Sequence, residues 1–105
     1  MQFILLGLNH RTASLDIRER FAFSGDALAQ ALNACQNSPL ISECVILSTC
    51  NRTEIYALTE ALNPTREWLK QLFCEHAVLS SDCFEDVSYT AYNKFAAQHL
   101  FQVAA

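Results

Sequence analysis

The sequence predicts an α+β domain of the ferredoxin-like kind, a split β-α-β antiparallel sheet with helices packed on one face. Three observations carry this expectation. Apolar runs of strand length open the chain and flank a short polar segment, Thr49 to Thr53, near its middle. Stretches with helical spacing separate those runs. The chain has 105 residues, 51% of them hydrophobic and 17% charged, which suits one buried core and leaves no room for a second domain.

In chain order, residues 3–9 form an apolar run closed by Asn9-His10 and predict a buried first strand. Ser14 is placed to cap a short helix ending at Phe21, with Ile17 and Phe21 stacked one turn apart. Ser24-Gly25-Asp26 opens a second helix, whose Leu28, Ala31, Leu32 and Cys35 share a face, and Asn37-Ser38-Pro39 stops it. Cys44–Ser48 and Glu54–Leu58 read as a hairpin, although its turn is not an Asn-Gly type. Asn63-Pro64 begins a third helix with Trp68, Leu69, Leu72, Phe73 and His76 along its apolar stripe. Ser81-Asp82 starts a short helical turn. Val87, Tyr89 and Ala91 alternate with polar residues as a strand with one wet face. Asn93 is expected to cap a last helix carrying Phe95, Ala96, His99, Leu100 and Val103. The order β-α-β-β-α-β plus a helix is the split β-α-β arrangement.

Charge and cysteine content narrow the function classes. Seven Lys and Arg against 11 Asp and Glu give a formal charge of −4 and a pI near 5.2. A domain that grips nucleic acid mainly through phosphates carries a basic face; this chain offers only scattered positives, so any contact with RNA is expected to be small or to lean on segments outside it. The run Phe3–Leu8 is too short to span a membrane and lacks a basic segment before it. Five irregularly spaced cysteines without a secretion signal point to reduced thiols in the cytoplasm. Asn51-Arg52-Thr53 matches a glycosylation sequon, which a cytoplasmic setting makes irrelevant.

Cys50 is the most informative residue, a cysteine between two apolar runs with polar neighbours on both sides. A thiolate is the attacking form, so activation needs a nearby positive or donor group. Arg52, two residues on in extended chain, would face the same way, and Thr49 and Asn51 add donors. The competing reading is one more small buried cysteine. Cys35, Cys44, Cys74 and Cys83 read as packing residues. Cys74-Glu75-His76 lacks the paired ligand spacing of a zinc site, so no metal is expected. His99, beside an apolar stripe, reads as structural before catalytic, His10 as a loop residue, and His76 as helix surface. Arg52 suits bidentate capture of a carboxylate. Its alternative is an exposed turn arginine paired with Glu54 or solvent. Two glycines in the whole chain provide no phosphate-cradling loop, so no nucleotide site is expected.

Three segments together resemble one family. Gly7-Leu8-Asn9-His10-Arg11-Thr12-Ala13 with Ile17–Phe23 resembles the opening of glutamyl-tRNA reductases. Leu47-Ser48-Thr49-Cys50-Asn51-Arg52-Thr53-Glu54-Ile55-Tyr56 closely matches that family's active-site signature, and His99-Leu100-Phe101 with Val103-Ala104-Ala105 is similar to its following helix. The ten residues around Cys50 are the specific part; residues 59–92 are generic.

The resemblance implies that a Cys50 thiolate attacks the ester of glutamyl-tRNA and forms a thioester, which NADPH reduces to glutamate-1-semialdehyde for tetrapyrrole synthesis. It implies that Thr49 and Arg52 hold the glutamyl group and that His99 lies near the reacting carbonyl. Residues 1–105 would be the N-terminal catalytic domain, cut at its last helix, with NADPH-binding and dimerisation domains outside it. Such a piece is expected to lack reductase activity and to be a monomer, whereas the whole enzyme is a homodimer. Glutamate-1-semialdehyde aminomutase is a further expected partner. Two other readings stay open. One is a non-catalytic module bound by a regulator, a protease system or haem; the other is a small thiol hydrolase or redox protein using Cys50 and His99. The lack of a Cys-x-x-Cys pair argues against redox exchange.

Overall fold

The computed structural model describes residues 1–105. Its elements are β1 (Gln2–Asn9), α1 (Leu15–Phe21), α2 (Gly25–Asn37), β2 (Glu43–Ser48), β3 (Arg52–Thr59), α3 (Leu62–Ala77), α4 (Ser81–Val87), β4 (Tyr89–Tyr92) and α5 (Asn93–Ala104). The strands run in the order β2-β3-β1-β4, every neighbouring pair antiparallel. That is the ferredoxin-like order expected from the sequence.

Alternation along β1 assigns its side chains to two faces. Ile4, Leu6 and Leu8 join Phe21, Ile55, Leu69, Phe73 and Phe84 in the main core beneath α1 to α4. Phe21, Phe73 and Phe84 contact one another with ring centroids 5.1–6.1 Å apart. Leu5, on the other face, packs with Tyr56 and with Ala96 of α5. The helices of the β-α-β-β-α-β unit thus share one face, and α5, beyond that unit, covers the opposite one. Ala96 makes this close approach possible, since a longer side chain would hold the helix off the sheet. β3 is covered on both sides and buried along most of its length.

Local chemistry sets the ends. Ser14 Oγ accepts from the Ile17 amide, as its position predicted, and α4 begins at Ser81 as expected, with Ser80 as its cap. Asn93 does not cap α5. It sits in the left-handed region, φ 52°, and its Oδ1 accepts from the Phe3 amide at 3.0 Å, tying the β4–α5 corner to β1. Val87 ends α4 instead of beginning the strand. His76 is also not free surface: its Nε2 lies 2.7 Å from the Ala22 carbonyl and its ring stacks on Phe23.

The end of α3 carries strain. Val78 follows it with φ 55° and ψ 48°, a conformation that costs a β-branched residue about 1–2 kcal/mol. Its side chain is 79% exposed, so almost no packing offsets that cost. Arg20 holds the turn in place, donating to the carbonyls of Ala77 at 2.8 Å and Val78 at 3.0 Å. Val78→Gly is therefore expected to stabilise the fold by about 0.5–1 kcal/mol after the entropy glycine adds to the unfolded chain. A melting temperature that fell on this change would show that Val78 makes contacts worth more than its strain.

Candidate active site

The hairpin of β2 and β3 positions Cys50. Ser48 pairs with Thr53, the Thr49 amide donates to the Arg52 carbonyl at 2.8 Å, and Cys50 lies in the bend with its neighbours exposed. Thr49 Oγ1 accepts from the Asn51 amide at 3.2 Å, which shapes the turn from within. Two contacts fix it from outside. The Phe23 amide donates to Ser48 Oγ at 2.9 Å, and Arg18 donates from Nε to the Cys50 carbonyl at 3.2 Å. Arg18 also donates to the Ala13 carbonyl at 2.9 Å, so one guanidinium joins the first loop to the cysteine turn. The thiol is exposed and the backbone beneath it is anchored.

The bend changes one expectation. Cys50 is not in extended chain, so the two-residue spacing to Arg52 does not by itself put both side chains on one side. Arg52 opens β3 and its guanidinium turns to Glu54, Nη1 to Oε2 at 3.4 Å, with its side chain 21% exposed. The alternative reading of Arg52 as a partner of Glu54 is thus realised, although the pair is far from an exposed one.

Glu54 is the centre of the site. It is fully buried. Its Oε1 accepts from the Tyr56 hydroxyl at 2.8 Å, and its Oε2 accepts from the Tyr89 hydroxyl at 2.5 Å and faces His99 Nε2 at 2.6 Å. Four donors from β3, β4 and α5 surround one carboxylate, which offsets the cost of burying its charge. Burial first, then the hydrogen bond to Glu54 and its charge, push the hydroxyls of Tyr56 and Tyr89 well above the usual tyrosine range. Both therefore stay protonated as donors.

Gly7 makes room for this carboxylate. It pairs with Glu54 on one side and Tyr89 on the other. A Cβ at Gly7 would sit 2.6 Å from the Thr53 carbonyl oxygen and 2.8 Å from Glu54 Cγ.

Of the four residues singled out from sequence, Arg52 and His99 are brought together through Glu54, while Thr49 and Cys50 share the adjoining turn. Glu54, Arg18, Tyr89 and Gly7 were not singled out. One signal existed: a Glu opening the apolar run Ile55-Tyr56-Ala57-Leu58, in phase with Arg52 and Tyr56. His10 is exposed in the loop after β1. No three His, Cys, Asp or Glu side chains converge as a metal site would require.

A profile of the family described as glutamyl-tRNAGlu reductase, N-terminal domain, matches residues 6–105. The chain belongs to that family. It is 41% identical over 105 residues to a glutamyl-tRNA reductase of Brevibacillus brevis, covering all of this chain and 23% of the relative. With a glutamyl-tRNA reductase of Xanthomonas campestris pv. phaseoli it shares 44% over 104 residues, 99% of this chain and 22% of the relative. The solved glutamyl-tRNA reductase of Methanopyrus kandleri superposes with a TM-score of 0.67 at 25% identity, over 97% of this chain and 22% of that one. The chain therefore spans less than a quarter of the length of these reductases. No helix in it is long and apolar enough to cross a membrane.

Proposed function

We propose that this reductase domain binds glutamyl-tRNA and takes the glutamyl group onto Cys50. The thiolate attacks the ester carbon, a C–S bond forms, the ester C–O bond breaks, and the tRNA leaves with a proton on its ribose oxygen. The supporting observation is the exposed Cys50 thiol on a turn whose backbone is pinned by Arg18, within the signature that matches the family. A fixed turn reduces the entropy lost when the thiolate meets its carbonyl. Arg52 keeps the part of its guanidinium that Glu54 does not occupy for a glutamate carboxylate, Thr49 borders the turn, and His99 holds or moves a proton near the carbonyl.

The same reading assigns the reduction of the thioester to NADPH and the product, glutamate-1-semialdehyde, to tetrapyrrole synthesis. NADPH does not fit these residues. Gly7 is interior to β1, Gly25 opens α2 alone, and the turn after β1, Asn9-His10-Arg11-Thr12, has no glycine for a pyrophosphate to approach. Dimerisation and the contact with the aminomutase belong to the whole protein. Five free thiols suit a reducing cytoplasm.

Mixing the chain with glutamyl-tRNA and weighing it intact tests the proposal. A glutamyl adduct on the parent and none on Cys50→Ser is the expected result. An adduct only on a chain extended past Ala105 would place essential pocket residues there. No adduct on either would sink the thioester reading and favour a binding module.

A further inference from the structure

We propose that Glu54 is a positioning residue that keeps a proton on His99 Nε2 and leaves Nδ1 as the nitrogen that exchanges protons with the substrate. The inference rests on the reading of Cys50 and His99 above and assigns the ring its working atom.

The geometry carries the argument. Tyr56 and Tyr89 hydroxyls both point at the Glu54 carboxylate, and Arg52, which has no acceptor, is beside it. The Arg52 cation beside the carboxylate and the two hydroxyls that already donate to it favour its charged, accepting form over a protonated carboxyl. Glu54 is thus an ionised acceptor, and the 2.6 Å contact requires a hydrogen on His99 Nε2. In the neutral ring the other nitrogen then holds the free lone pair. Nδ1 makes no hydrogen bond, and no buried side-chain nitrogen or oxygen lacks a partner, so Nδ1 reaches solvent. The Tyr89 ring, 5.6 Å from the imidazole and tilted by 51°, stands against rotation. Gly7 leaves Glu54 the space to hold this pose.

The ring protons of His99 report the arrangement directly. Nitrogen–proton correlation spectra of the labelled chain should show the neutral ring with its hydrogen on Nε2. A hydrogen on Nδ1 would overturn the inference whatever any variant does. In Glu54→Gln the amide offers both a donor and an acceptor, so a mixture of the two tautomers is expected. One unchanged tautomer would show that the carboxylate does not set it. Transfer of glutamate to Cys50 should slow about 100-fold in Glu54→Gln, the scale of a misplaced acid–base group, while the rest of the spectrum confirms the fold. An unchanged rate counts against the inference and leaves the thioester reading intact. Uptake of glutamate by Cys50→Ser would do the reverse, removing the thioester reading while the tautomer result stands.

Discussion

Gly7→Ala is expected to cost roughly 3 kcal/mol of stability, at the upper end for overpacking, and to displace Glu54 from its donors. The conflict is with backbone first: the new methyl would meet the Thr53 carbonyl oxygen and Glu54 Cα, at 2.6 and 2.9 Å. Neither moves without shifting β3 away from β1. β1 is held on both sides, by β3 and β4, so relief on one edge strains the other. The third conflict, with Glu54 Cγ at 2.8 Å, pushes the carboxylate off Tyr89 and His99. A domain of this size should lose about 15 °C in melting temperature. Urea titration measures the stability, and the His99 ring signals measure the displacement. A melting point within a few degrees of the parent would mean that the sheet yields more cheaply than its geometry allows.

That one glycine shows how much of the site was open to sequence reasoning. Strands and helices followed from local patterns, since residues 3–8 form an unbroken apolar run and Leu69 and Phe73 repeat at one turn. The Cys50 turn was visible because a polar segment interrupts two apolar runs. Glu54 was not, because what buries it comes from far along the chain. Tyr89 is 35 residues away and His99 is 45, and both arrive only when β4 joins the free edge of β1 and α5 crosses the second face. No short-range pattern says that α5 covers that face. Arg18 was hidden for the same reason, lying 32 residues before the carbonyl it holds. Arg52 shows the opposite case. Both of its readings were legible, and burial of Glu54 decides how they combine: one part of the guanidinium is committed and the rest is free.

Alkaline pH should unfold this domain sooner than its composition suggests. Three groups carry the effect. Burial, reinforced by the neighbouring Cys44 thiol, pushes the Cys35 thiol up from 9.0 to about 12. Burial, then the hydrogen bond to Glu54 and its charge, push Tyr56 and Tyr89 above their ordinary 10.0. Below those ordinary values the groups are neutral in both folded and unfolded chains, and the stability is fully present. Above them the unfolded chain ionises first, and each group removes about 1.4 kcal/mol per pH unit until its folded value is reached. Cys35 acts from about pH 9 and the tyrosines from about pH 10, so the combined slope reaches roughly 4 kcal/mol per unit. Near the lower end of the usual total of about 5–15 kcal/mol, that brings unfolding within one or two units above pH 10. Urea midpoints measured under reducing conditions from pH 8 upward test this, and in a Tyr92→Phe background, which removes the exposed third tyrosine, tyrosinate absorbance should appear at the unfolding transition rather than before it. In Tyr89→Phe the slope above pH 10 should fall by about a third. Stability that stayed level to about pH 11 would show the two hydroxyls to be wet and unpaired, and the donors around Glu54 would then not be fixed. The expected result has the opposite meaning for catalysis: wherever the fold survives, both tyrosines still donate to Glu54, and His99 keeps the partner that sets its ring.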